Sequence, residues 1–149
     1  MNNQLIIKES DDYDEFMILE NKILNEKYNI SSVHSAEEIK SLAQHFKNNI
    51  KLIIAKKNSV LLAGGVIYII ESVMHLQYFG ANEIGRKLGA SDLIIQYCLD
   101  LCKRNNINVF DFGISSENDG LILNEGLNMY KESFGAVTTI ADHYEKSIN

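Results

Sequence analysis

Three apolar β-type segments follow one another without a break between Ile50 and Phe79, and no other feature constrains the fold as strongly. Ile50–Lys56 and Val60–Ile70 are rich in β-branched residues and are separated only by Lys57-Asn58-Ser59. Glu71-Ser72 then leads into Val73–Phe79. Links this short join only antiparallel neighbours, so the stretch predicts a meander. Gly64-Gly65 lies inside the middle segment and predicts a bulge there or a close backbone approach.

Helical and strand patterns flank the meander. Gln4–Lys8 reads as a first strand. Ser10-Asp11-Asp12 can cap a helix over Tyr13–Tyr28, with Phe16, Leu19, Ile23 and Leu24 along one stripe. Ser35-Ala-Glu-Glu38 is a capping box for a second helix, through Ile39, Leu42, Ala43 and Phe46 to about Asn48. Beyond the meander, Gly80–Ala90 reads as a loop. A helix begins near Ser91-Asp92 and runs to about Arg104, with a stripe of Leu93, Ile94, Tyr97, Cys98 and Leu101, and Asn105-Asn106 stops it. Val109–Phe112 reads as a short buried-type strand ending at Gly113, Ser115–Gly120 as a loop, and Leu121–Phe134 as a last helix with Gly135 at its end. Val137–Tyr144 closes the pattern as a strand. The strand–helix–strand run from Val73 to Phe112 favours a parallel pair with a right-handed crossover. The prediction is an α/β (α+β) fold: one domain over residues 1–149, with a mixed, mostly antiparallel central sheet and helices on both faces.

Charge and composition narrow the function. Fourteen Lys and Arg against twenty Asp and Glu leave a formal charge of −6. That balance disfavours nucleic-acid and anionic-membrane partners, which need basic surfaces. The apolar run Val60–Ile70 is shorter than the roughly 20 residues that span a bilayer. The first residues lack the pattern of a signal peptide, so a cytoplasmic setting is expected. Cys98 and Cys102, four apart on a helix, match no zinc or redox motif and suit a reducing compartment. They are expected to be core-facing and inert.

Candidate chemistry gathers around the predicted loop. Gly85-Arg86-Lys87-Leu88-Gly89 sets two cations between glycines directly ahead of a helix. Unbonded amides at a helix start, with the helix dipole, attract anions such as phosphate. A flexible loop with solvated cations is the bland alternative. On the third meander strand, His75 alternates with Gln77 and Phe79, opposite Met74, Leu76 and Tyr78. His75 is a candidate base or a satisfied structural histidine. Asp111 stands between Phe110 and Phe112, where a carboxylate is costly unless paired, and is either a substrate contact or a buried anchor. Glu83, Glu117 and Asp119 lie on loops, either binding an amine or simply solvated. His34, His45 and His143 are scattered without metal-ligand spacing, and no metal is expected.

The element order resembles the GNAT acyltransferase fold. In that family the loop between the fourth strand and the following helix carries an Arg/Gln-x-x-Gly-x-Gly/Ala signature that binds the coenzyme A pyrophosphate. Arg86-Lys87-Leu88-Gly89-Ala90-Ser91 matches at Arg86 and Gly89 and has Ser91, small and able to cap, at the last place. The resemblance implies acetyl-CoA as co-substrate, held by Gly85, Arg86, Lys87, Leu88, Gly89, Ala90 and Ser91. It also implies that backbone amide near Phe79, Gly80 and Ala81 meets the thioester carbonyl. Family members often protonate the leaving thiolate with a tyrosine four residues before a glycine; here Lys131 holds that place before Gly135, and Tyr130 is adjacent. A narrower resemblance joins Val109-Phe-Asp-Phe-Gly113, Asn124-Glu-Gly-Leu and Lys131-Glu-Ser-Phe-Gly-Ala136 to Fem-type aminoacyltransferases and to GNAT-like proteins of surface-polysaccharide pathways. It implies that Lys131 stabilises developing negative charge. Fem-type enzymes carry two such domains and a coiled-coil arm, and this chain has room for one domain.

The expected function is N-acyl transfer from acetyl-CoA to a small amine, an amino sugar or nucleotide-linked amino sugar among the options, with Lys131, Tyr130, His75 and Asp111 as candidate catalytic residues. Two alternatives stand beside it: a non-catalytic GNAT-like module that binds acyl-CoA or a partner, and a Fem-like transferase using aminoacyl-tRNA. An exposed strand edge would also allow a homodimer.

Overall fold

In the computed structural model, residues 4–118, 120–140, 142 and 144–148 are described. They fall into two compact units, Met1–Gly113 and Ile114–Asn149.

The first unit holds a five-stranded sheet in the order β1-β2-β3-β4-β5. The strands are β1 (Ile6–Ser10), β2 (Ile50–Lys57), β3 (Val60–Ile70), β4 (Val73–Ala81) and β5 (Val109–Asp111). The first three pairings are antiparallel and β4–β5 is parallel, so the expected mixed sheet forms. Asn58 and Ser59 at the β2–β3 turn have φ of 50° and 67°, the left-handed conformation that a tight hairpin compatible with strand twist requires.

Helices cover both faces. Side chains alternate across β2. Leu52 and Ile54 pack with Phe16 and Met17 of α1 (Tyr13–Tyr28) and Ile39 of α2 (Ala36–His45). On the other parity, Ile53 and Ala55 are buried, as are Ile94, Ile95 and Cys98 of α4 (Ala90–Arg104), and Cys102 of α4 meets Met74 of β4. Full burial of each such aliphatic side chain contributes about 1.5–3 kcal/mol. Burial also pushes the Cys98 thiol up to about 12, which keeps it protonated and unreactive.

The α1 stripe is rotated from the predicted one: Tyr13, Phe16, Met17 and Glu20 are buried, while Leu19, Ile23 and Leu24 are half-buried. The stripe of α4 shifts likewise to Ile94, Ile95, Cys98, Leu101 and Cys102, and Leu93 is exposed. Tyr97 is half-buried, with the Arg104 guanidinium 5.6 Å from its ring centre. The second helix ends at His45 rather than near Asn48. The Phe46 amide closes onto the Leu42 carbonyl, and the Phe46 carbonyl then accepts from Ile50 and turns the chain into β2. β5 is an edge strand with Val109 half exposed, not the buried strand its apolar sequence predicts.

The glycine pair in β3 serves close approach. A Cβ on Gly64 would lie 2.5 Å from the Phe16 ring, so α1 sits directly on the sheet there. The register breaks on either side of the pair: Ala55 pairs with Ala63 but Lys56 with Leu61, which leaves Leu62 of β3 itself as an extra residue. Val66 pairs with Tyr78 but Ile67 pairs with Leu76, which leaves Gln77 of β4 as the extra residue.

The second unit contains a two-stranded ribbon, β6 (Ser116–Glu117) with β7 (Ile122–Leu123), and helix α5 (Glu125–Glu132). Three expectations are corrected here. Ser116 and Glu117 form one strand of this hairpin, with Asn118 and Gly120 at positive φ, where an open loop was expected. The last helix begins four residues later than predicted because β7 takes Ile122–Leu123 and Asn124 caps it, its side chain accepting from the Leu127 amide. The predicted strand 137–144 does not form among the described residues: Val137 and Ile140 are almost fully exposed and no ladder partner is present. β-branched composition without a partner strand does not fix an extended chain. Gly135 follows the helix end as expected, with φ of 85°.

Candidate active site

β4 organises the first unit's polar groups. Its first three residues, Val73, Met74 and His75, pair with Val109, Phe110 and Asp111 of β5. From Leu76 to Ala81 the strand continues with β3 on one flank and, among the described residues, no strand on the other.

The bulge at Gln77 decides which side chains meet. Strict alternation would set Tyr78 with Met74 and Leu76 and separate it from His75. Instead Tyr78, paired with Val66, packs in the core under α1 and α2, while Met74 contacts Cys102 on the α4 side. His75 pairs with Tyr68, which also packs against the α1–α2 core. One face of β4 therefore presents His75, Tyr78 and Gly80.

Each of these three positions carries a titratable neighbour. His75 Nδ1 lies 2.7 Å from Asp111 Oδ2, across the parallel pairing. A carboxylate only accepts, so Nδ1 carries the hydrogen and a neutral ring keeps its lone pair on Nε2. Asp111 Oδ1 also accepts from the Gly113 amide at 2.8 Å. Asp111 is thus a partly exposed, orienting partner and not the deeply buried anchor that its flanking phenylalanines suggest. The Tyr78 hydroxyl lies 2.6 Å from His34 Nδ1 and accepts from the His34 amide at 3.3 Å. Over Gly80 lies the carboxylate of Glu20, where a Cβ on Gly80 would overlap Oε2.

Glu20 was not among the sequence candidates. It is only 5% exposed, and its Oε2 has no hydrogen-bond partner among the described residues. Desolvation pushes its carboxyl up to about 7, against a smaller downward pull from Lys27. The signal in the sequence is a charged residue four after Phe16, on the helix's apolar face.

The predicted glycine loop is mostly helical. Asn82 caps a short helix α3 (Glu83–Lys87), its side chain accepting from the Gly85 amide at 2.8 Å. Gly85 is buried with its Cα against the Leu62 carbonyl, so close packing demands glycine there. Arg86 donates from Nη1 to the Ala81 carbonyl at 2.5 Å, tying α3 to the end of β4. Lys87 pairs with Glu83 at 2.6 Å on the surface. The amides of Leu88 and Gly89 close onto Ile84 and Arg86. Gly89, at φ 69°, is the N-cap of α4 and supplies no side-chain cap, and a Cβ there would meet nothing within 4 Å. Ser91 lies inside the first turn and does not cap. The uncapped start at Gly89–Ser91, beside open space, suits a diphosphate.

In the second unit Lys131 is buried, its Nζ donating to the Ile114 carbonyl at 2.5 Å, so it is no solvated surface lysine. Tyr130 is half-buried with its ring 5.3 Å from that of Phe134, edge to face. Glu117 accepts from Asn124 Nδ2 at 2.7 Å. His45 lies 2.7 Å from the Ser41 carbonyl, away from His34 and His75. Asp119 and His143 lie outside the described residues. Among the described residues no group of three or more His, Cys, Asp or Glu could hold a metal, and no helix is long and apolar enough to cross a membrane.

Comparison with known proteins fits this geometry. Residues 5–132 match the sequence family described as the acetyltransferase (GNAT) domain. An aminoglycoside acetyltransferase from an uncultured soil metagenomic sample, solved with sisomicin, superposes with a TM-score of 0.70 at 14% identity, covering 99% of both chains. A possible acetyltransferase from Clostridium difficile 630 gives a TM-score of 0.73 at 14% identity over 97% of this chain and 98% of that one. A GNAT-family acetyltransferase from Staphylococcus aureus Mu50 gives 0.68 at 13% identity over 89% and 84%. No curated protein matches the chain significantly.

Proposed function

This chain belongs to the GNAT family of acetyltransferases and is an enzyme of the N-acetyltransferase class; from that premise we propose that it transfers an acetyl group from acetyl-CoA to a small amine, with an amino sugar as the acceptor class. We read the two units as one catalytic domain, a reading supported by the span of the family match across both.

One observation carries the co-substrate assignment: α4 starts on a bare glycine beside open space, one short helix after a strand whose far half has β3 on one flank and, among the described residues, no strand on the other. The amides at Gly89, Ala90 and Ser91, aided by the α4 dipole, would hold the diphosphate. Gly85 and Arg86 set the loop that presents them, and Lys87 and Leu88 complete it. Backbone amide at Phe79, Gly80 or Ala81 would polarise the thioester carbonyl. The thioester supplies the activated acyl carbon: the amine nitrogen bonds to it, the C–S bond breaks and the thiolate takes a proton.

His75, aligned by Asp111, is the candidate base for the acceptor's proton. Tyr130 is the candidate proton donor to the thiolate, and Lys131 the candidate cation that steadies it. The amino-sugar class rests on the likeness of Lys131-Glu-Ser-Phe-Gly-Ala136 to polysaccharide-pathway proteins. An aminoglycoside is also an amino sugar, and a similarly folded protein is named for acetylating one.

Free-thiol release over an amine panel tests the reading: turnover with acetyl-CoA is expected, and no turnover with any amine would refute it. His75→Gln should lower kcat/KM by about 100-fold, the usual worth of a general base. Retained rate in that variant would move the base elsewhere.

A further inference from the structure

Two buried polar side-chain atoms, Glu20 Oε2 and Tyr68 Oη, have no partner among the described residues. Both belong to the side of the sheet covered by α1 and α2. The tyrosine hydroxyl is neutral and costs less than a charge would. The carboxylate is another matter, because a buried charge without a partner is retained only at considerable expense. Its surroundings are built to keep it so. Phe16 and Glu20, one turn apart on α1, rest on Gly64 and Gly80, which face each other across β3 and β4. The glycine pair brings α1 down onto the sheet and lays the carboxylate against β4, where that strand has lost its β5 neighbour. Lys27 draws its carboxyl down, and that pull is outweighed by burial. Glu38, by contrast, is fully engaged with Ser35.

We propose that the carboxylate of Glu20, buried over Gly80 with an oxygen that has no partner among the described residues, receives the ammonium group of the acceptor and so selects a cationic amine. The proposal rests on the acetyl-transfer reading above and adds the acceptor-binding group to it. An ammonium brings hydrogen-bond donors and the compensating charge together, and both are what this oxygen lacks. A neutral hydroxyl acceptor would bring no charge, and an acid group at the same place would be repelled. Tyr78 with His34 and His75 with Asp111 follow on the same strand face, so an amine seated at Glu20 lies along a polar row.

Calorimetric titration of CoA-loaded protein with glucosamine and with putrescine tests this, comparing wild type, Glu20→Gln and Glu20→Asp. The Gln variant keeps the shape and removes the charge. Its amine Kd is expected to rise at least tenfold, about 1.4 kcal/mol, with its CoA Kd within twofold of wild type and its melting temperature not lowered. The Asp variant, charged but shorter, should retain part of the amine affinity. Equal amine affinity in wild type and the Gln variant overturns the proposal, as does a matching loss of CoA affinity. Wild type that binds CoA but neither amine overturns the role of Glu20 and leaves acetyl transfer standing. Wild type that binds no CoA overturns the acetyl-transfer reading itself.

Discussion

The helices α2 and α4 begin with the same physical problem and treat it in opposite ways. Each leaves its first amides without intrahelical acceptors. At α2 the Ser35 hydroxyl accepts from the Glu38 amide at 3.2 Å, and Glu38 Oε2 accepts from the Ser35 amide at 2.7 Å. Those bonds hold the Glu38 carboxyl below its ordinary range. At α4, Gly89 offers nothing. The same contrast separates Glu38, whose carboxylate is engaged on the surface, from Glu20, whose buried Oε2 has no partner among the described residues. A region that closes its own bonds is serving the fold. A region that leaves them open is poised for something that arrives later.

The largest test concerns Glu20. Its folded pKa of about 7 lies above the unfolded value of 4.5, so the folded state holds a proton that the unfolded state releases. Stability is therefore full below pH 4.5, falls as pH rises toward 7 and stays reduced above it, by about 3 kcal/mol. Urea unfolding of wild type against Glu20→Gln across that window should show the difference, and parallel curves would place a hidden partner on the carboxylate. Next in size, Gly89→Trp should weaken acetyl-CoA binding about 100-fold, about 2.7 kcal/mol, by filling the space ahead of α4. Calorimetry reads this directly, and an unaltered Kd would dissolve the contrast between the two helix starts. Gly64→Ala should cost about 1–3 kcal/mol by overpacking Phe16 and lifting α1; an unchanged melting curve would mean that α1 adjusts freely. The smallest effect is Ser35→Ala, about 1 kcal/mol of stability with turnover untouched. A loss of turnover there would tie α2 to the acceptor.

Local chemistry made much of this visible beforehand. The meander, the α2 capping box and the Asn105-Asn106 stop depend on neighbours in the chain, and the sequence carries those neighbours. His75 and Asp111 could each be singled out from strand pattern, but their 2.7 Å pairing depends on the parallel register of β4 and β5, which no local signal encodes. Arg86 reads as a free cation and is bound to Ala81, because α3 folds where a loop was expected. Glu20 stayed hidden because charge on a helix is ordinarily taken for surface, and only the glycine pair far along the chain reveals how closely α1 is pressed to the sheet. The residues 137–140 failed in the opposite sense, since a β-rich composition says nothing about whether a ladder partner exists.

The extra residue at Gln77 makes β4 a strand written in two reading frames. Before it, odd-numbered positions look toward α1 and α2; after it, even-numbered ones do. Removing Gln77 would merge the frames without turning any later side chain over: Tyr78 would follow Leu76 in plain alternation, still opposite Val66, and Gly80 would stay beneath Glu20. A single-codon deletion of Gln77 should therefore be milder than deletion of Phe79, which has no such slack and would set the Ala81 methyl where Gly80 leaves room for Glu20.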